Sequence, residues 1–188
     1  MGGGIVEVAM RAGVDVVMVD VSEEAVNAGE ERLRSSLDRA VERGKATAED
    51  RDAALANLTT ATDLDALADR QLVIEAVIEN ESIKAEVFGR LDQMLADDAI
   101  LASNTSSIPI VTLARSTRRI DRFVGMHFFN PVPVMKLVEI IPALTTSDET
   151  VAAAKAFGER LGKTAIVAPD RAGFVVNALL VPLSLIHI

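Results

Sequence analysis

The residues best placed to do chemistry are a histidine and a glutamate. His127 stands in Gly125-Met126-His127-Phe128-Phe129-Asn130-Pro131, closing an apolar run, and Glu139 follows twelve residues later within Leu137-Val138-Glu139-Ile140-Ile141. A carboxylate inside a buried strand is costly unless paired. An imidazole is a natural partner: the carboxylate orients the ring, fixes its tautomer and raises its basicity, as general-base catalysis requires. The same spacing also suits a structural histidine beside an edge-facing glutamate. The chain's other histidine, His187, lies in the tail and is set aside.

A second group is Asn104-Thr105-Ser106-Ser107, directly after an apolar run. Hydroxyls at the carboxyl end of a strand could bind a substrate oxygen; they could equally cap a helix starting near Pro109. A serine nucleophile is disfavoured, because no flanking glycines suggest a strained elbow. A third signal is Asp20, closing the run Asp15-Val16-Val17-Met18-Val19 and following Gly2 by 18 residues. In a dinucleotide fold an acid there grips the adenosine ribose hydroxyls and repels a 2′-phosphate, favouring NAD over NADP. In the plainer reading it is a turn residue. Gly2 would be the third glycine of Gly-x-Gly-x-x-Gly, where helix and strand pack closely. The strand and two glycines before it are not in the sequence, which reads as an incomplete N-terminus.

These residues need a scaffold of alternating strands and helices. Short apolar runs at residues 15–19, 72–77, 99–102, 123–127, 137–141 and 165–167 read as buried strands. Between them, residues 5–12 are helix-like. Ser22, Thr47 and Ser147 are N-cap candidates, Gly44 and Gly162 helix stops, and Ile83, Val87, Leu91 and Leu95 recur at helical spacing. The alternation predicts an α/β fold: a Rossmann-like, doubly wound, mostly parallel sheet with helices on both faces, lacking its first strand. The later strands, with shorter connections, are expected to be antiparallel. Residues 1–170 form the expected nucleotide domain, and residues 171–188 start a helical C-terminal domain.

Composition narrows the function classes. Apolar residues are 49% and charged residues 25% of 188, a globular balance. The net charge of −9 gives no footprint for nucleic acid or an anionic membrane. The arginines at 115, 118, 119 and 122 read as a solvated loop face. Without cysteine there is no disulfide or zinc–thiolate site, and without Trp or Tyr no stacking platform. No metal site, secretory signal or membrane span is expected, which suggests a cytoplasmic protein.

Together, Asn104-Thr105-Ser106-Ser107, the stretch from Gly125 to Glu139 including Val132-Pro133-Val134-Met135-Lys136, and Gly173-Phe174-Val175-Val176-Asn177 closely resemble the 3-hydroxyacyl-CoA dehydrogenase family in order and spacing. The resemblance runs to about residue 182. It implies that His127 takes the proton from a 3-hydroxyl and that Glu139 orients it. It implies that Ser106 and Asn177 hold the reacting oxygen, and that hydride passes to NAD. Asp20 would hold the ribose, Glu79, Lys84 and Asn104 would line the cofactor cleft, and Asn130 would lie beside the histidine.

The residues at 132–136 look more like stand-alone, 3-hydroxybutyryl-CoA-type enzymes than multifunctional fatty-oxidation proteins. The family's acyl-CoA substrate and its homodimer follow as expectations for the parent protein. The tail, Ser184-Leu185-Ile186-His187-Ile188, departs from the family's continuation. The expectation is a chain truncated at both ends, whose own activity is in doubt. A non-catalytic nucleotide-binding remnant and another NAD-dependent hydroxyacid dehydrogenase are the alternatives. The second is disfavoured because many such enzymes use lysine as the acid–base group.

Overall fold

The computed structural model describes residues 1–186, so His187 lies outside the described residues. Helix α1 (Gly2–Arg11) opens the chain, followed by strand β1 (Val16–Val19). Next come α2 (Glu23–Glu42), α3 (Ala48–Leu55), β2 (Leu58–Ala61), β3 (Leu72–Glu75), α4 (Glu81–Met94) and β4 (Ile100–Ser103). A short α5 (Ile110–Ala114), β5 (Phe123–Phe128), β6 (Leu137–Pro142), α6 (Asp148–Arg160), β7 (Thr164–Val167) and α7 (Val176–Ile186) complete the order.

The expected helix signals hold. Ser22, Thr47 and Ser147 accept from backbone N–H groups three residues on, and Thr47 with Asp50 forms a reciprocal capping box. Gly44 and Gly162 follow their helices at φ +66° and +73°, where a side chain would be strained. Helix α5 is capped from elsewhere. Asp170 accepts from Ile110 N at 2.8 Å and Val111 N at 2.9 Å, so the residues at 104–107 are not its cap.

The single expected sheet is two. β1 pairs in parallel with β2, and a second sheet runs β3-β4-β5-β6-β7. No ladder joins β1 to β3 among the described residues. β3, β4 and β5 are parallel, and β5 and β6 antiparallel. The expectation of antiparallel late strands fails at β7, which runs parallel to β6. Helix α6 carries the chain back between them, and such a crossover returns it in the same direction.

Helices cover both faces of the larger sheet. On one face Ile5, Val8 and Ala9 of α1 and Ala154 of α6 pack on Val124, Met126, Val138 and Ile140. On the other, Phe88 and Leu91 of α4 and Ile110 and Leu113 of α5 pack on Leu101, Phe123 and Ile141. Burying a side chain of this size contributes roughly 1.5–3 kcal/mol each. A third cluster, of Met10, Leu33, Leu37 and Ala54, ties α2 and α3 to α1. No described helix is long and apolar enough to cross a membrane.

The expected solvated arginine face is found in part: Arg115 and Arg118 are exposed and Arg122 is half-buried, but Arg119 departs from it. Arg119 is 7% exposed, donates to Asp92 Oδ1 at 2.9 Å and closes the end of α4 through the carbonyls of Leu95 and Ala96. Burial acts to raise the pKa of Asp92, but bonds from Arg119 and Arg118 outweigh it and leave it lowered.

Strand β5 carries His127, and its packing tolerates little change. A Cβ at Gly125 would fall 2.7 Å from Ile110 Cδ1 and 2.9 Å from Ile141 Cβ, the latter fixed on the neighbouring strand. Gly125→Ala is therefore expected to destabilise the chain by about 1–3 kcal/mol. Urea denaturation followed by circular dichroism checks this; an unchanged midpoint would mean that β5 and β6 can spread.

Candidate active site

His127 and Glu139 are directly opposed in the β5–β6 ladder. Antiparallel pairing puts opposed side chains on one face, so the twelve-residue spacing becomes a contact. His127 Nδ1 lies 2.8 Å from Glu139 Oε2. The other carboxylate oxygen accepts from Val175 N and Val176 N, both at 3.0 Å. With donors on every side Glu139 serves as an acceptor, which assigns the hydrogen to Nδ1 and leaves Nε2 with a free lone pair. Two phenylalanines hold the ring: Phe129 at 4.6 Å and Phe174 at 5.5 Å between centroids. Phe174 follows Gly173 (φ +75°) and itself has φ +50°. That turn brings the amides of residues 175 and 176 onto the carboxylate.

The loop between β5 and β6 contains a cis Asn130–Pro131 bond. It is clasped by Lys163, which donates to Val132 O and Met135 O. Burial, with help from Arg11, lowers the pKa of that lysine. Sequence reading missed Lys163; a lysine directly after a helix stop gives no local sign of a buried role.

A cleft of about 470 Å³ opens at the carboxyl ends of β3, β4 and β5. Of the predicted residues, Glu79, Asn104, Ser106, His127 and Asn130 line it, as do Val77 and Ile78. Asn104 Oδ1 accepts from Phe128 N at 2.9 Å and ties β4 to the end of β5. Glu79 Oε1 accepts from Thr105 Oγ1, Ser106 N (2.9 Å), Ser107 N (3.1 Å) and Ser107 Oγ (3.1 Å). It thus holds the loop that presents Ser106.

Two expectations are corrected, for Lys84 and Gly2, and Asn177 stands apart from the cleft. Lys84 does not line the cleft: it is 1% exposed beneath it, 2.7 Å from Glu75. Asn177 sits in the first turn of α7 and is not among the lining residues. Gly2 is not the tightly packed glycine, since a Cβ there would meet Ala76 at an ordinary 3.6 Å. The close approach is at Gly4, where a Cβ would fall 2.9 Å from Val132 Cβ.

The cleft suits a dinucleotide. Helix α1 starts at its edge without a side-chain cap, an electropositive end suited to phosphate. Asp20 is exposed at the carboxyl end of β1, one oxygen accepting from Val21 N at 2.8 Å, so the turn role is also real. Val77 and Ile78 offer exposed apolar surface to a ring. Among the described residues no cluster of His, Asp and Glu could hold a metal ion.

An open α/β sheet with a His–Glu pair and a helix start at one cleft has the form of a dinucleotide-binding domain. The chain belongs to the 3-hydroxyacyl-CoA dehydrogenase family, whose profile, described as the NAD binding domain, matches residues 1–171. It is 52% identical over 184 residues to a 3-hydroxybutyryl-CoA dehydrogenase of Mycobacterium tuberculosis, covering 97% of this chain and 64% of the relative. It is 44% identical to the fatty acid oxidation complex subunit alpha of Idiomarina loihiensis, covering 97% of this chain and 25% of that one. The crystal structure of (S)-3-hydroxybutyryl-CoA dehydrogenase from Ralstonia eutropha superposes with a TM-score of 0.95 at 47% identity, covering 97% of this chain and 65% of the other. The chain thus spans about 64% of the length of these stand-alone relatives.

The carboxyl of Glu79 gives a pH test. Burial raises its pKa, but the bonds from Thr105 and Ser106 and the Lys84 charge outweigh this and bring it from 4.5 down to about 2. A depressed folded-state value means that its grip on the loop is full above pH 4.5 and lost as pH falls toward 2. Protection of the Ser106 and Ser107 amides, taken relative to the intrinsic exchange rate at each pH, should fall across that window, and Glu79→Gln should abolish that fall. An identical profile in the variant would assign the release to another group.

Proposed function

We propose that this chain is the cofactor-binding portion of an NAD-dependent dehydrogenase that oxidises short-chain 3-hydroxyacyl-CoA, of the 3-hydroxybutyryl-CoA type, to 3-oxoacyl-CoA in fatty-acid metabolism. Residues 1–170 form the nucleotide domain and α7 begins the substrate portion. The observation carrying this reading is the His127–Glu139 pair at the cleft, its imidazole held in one tautomer by a buried carboxylate.

Bound NAD would supply the acceptor for the hydride that leaves C3 of the substrate. The chain's own residues do the rest. Nε2 of His127 takes the 3-hydroxyl proton as hydride departs, and Glu139 stabilises the imidazolium that forms. Ser106 offers its hydroxyl to the reacting oxygen, and Asn177, in the first turn of α7, is the second polar group assigned to it. Asp20 takes the ribose hydroxyls, and the start of α1 at Gly2 faces the pyrophosphate. Glu79 and Asn104 shape the nicotinamide end and Asn130 borders the histidine. The complete protein is a cytoplasmic homodimer whose partner molecule is an acyl-CoA rather than nucleic acid.

Calorimetric titration of the chain with NAD tests the cofactor half; with neither Trp nor Tyr, absorbance near 280 nm is a poor reporter. NAD should bind more tightly than NADP, and Asp20→Ala should narrow that difference. A folded chain that binds neither would overturn the reading. For the chemistry, His127→Gln should lower acetoacetyl-CoA-dependent NADH oxidation by roughly 10²–10⁴-fold while leaving NAD affinity unchanged. Turnover that survives the substitution would remove His127 from the mechanism.

A further inference from the structure

Beneath the cleft lies a buried charge network that the chemistry above does not use. Lys84, in the first turn of α4, donates from Nζ to Glu75 Oε1 at 2.7 Å and lies 3.3 Å from Glu79 Oε2. Glu75, the last residue of β3, is otherwise satisfied. Its Oε1 also accepts from Val77 N at 2.6 Å, and its Oε2 from Ser103 Oγ at 2.7 Å. Glu79 divides its oxygens: Oε2 faces Lys84 while Oε1 receives the donors of residues 105–107. One ammonium therefore stands between a strand end and the loop that presents Ser106. A buried ammonium needs one carboxylate to compensate it; here two are arranged around it, and the second also holds the loop.

We propose that Lys84 is a positioning residue for Ser106: its ammonium fixes Glu79 in the arrangement that clamps residues 105–107 at the mouth of the cleft. Ser106 owes its importance to the dehydrogenase reading, on which this inference rests; the clamp itself can be measured without substrate. The competing account is local. Lys84 would serve only to neutralise Glu75 inside β3, and the loop would keep its place without it.

Two variants of the 188-residue chain separate these accounts. Lys84→Met removes the ammonium and strands Glu75. The double variant Glu75→Gln, Lys84→Met leaves the strand end uncharged, with an amide that can still accept from Val77 N and meet Ser103 Oγ. Thermal melting, amide exchange at Ser106 and Ser107, and calorimetric NAD affinity are read for each. Expected is faster exchange at both amides, on the order of tenfold, in Lys84→Met. The double variant should regain melting temperature without regaining that protection. Protection restored in the double variant overturns the proposal in favour of the local account. Unchanged protection with weakened NAD binding overturns it in favour of direct contact with the nucleotide. Should Lys84→Met fail to fold, the double variant alone decides. Failure of the folded, unsubstituted chain to bind NAD would count against the dehydrogenase reading and leave the exchange arms intact.

Discussion

The structure turns on one buried carboxylate. Glu139 has no exposure and accepts three N–H groups: His127 Nδ1 from the facing strand, and the amides of residues 175 and 176 from the start of α7. Leaving such a group without partners would cost several kcal/mol, so strand, ring and helix start are held to a common geometry. The imidazole takes its tautomer from this arrangement. So does the turn through Phe174, whose ring returns to pack on the imidazole.

Carboxylates are used elsewhere in the same manner. Glu79 gathers the donors of residues 105–107, and Asp170 gathers the first amides of α5. Asp92 binds two arginines at the end of α4. Each draws together segments far apart in sequence, and the first two border the cleft or the segment leading to α7. The acidic excess of the sequence is thus partly internal architecture.

Much of this was legible in the sequence, for identifiable reasons. The main strands are continuous apolar runs, and their alternation with capped helices gave away the fold class. His127 and Glu139 stood out because an ionisable residue within an apolar run must be explained. Glu75, in Leu72-Val73-Ile74-Glu75, carried the same signal and was passed over. β2 was missed because Leu58-Thr59-Thr60-Ala61 has one strongly apolar residue; it is recruited by its ladder to β1. α5 was missed because its cap lies 60 residues away. Lys84 was expected in the cofactor cleft and Arg119 on a solvated face, since burial of a cation depends on partners that only the tertiary fold supplies. Gly4 owes its role to Val132, across the fold, rather than to the phosphate-loop pattern that drew attention to Gly2.

The opposition of His127 and Glu139 in a hairpin bears on how the chain assembles. Every parallel ladder here is joined through intervening helix, so its strands meet only after a long stretch of chain is closed. β5 and β6 are joined by residues 129–136 alone and form the sole antiparallel ladder among the described residues. Loop-closure entropy grows with the length enclosed, so this pairing carries the smallest conformational penalty of any in the two sheets. The His127–Glu139 pair is built on the most local contact the topology offers, while β3 and β4, whose ends border the cleft, depend on distant segments finding one another.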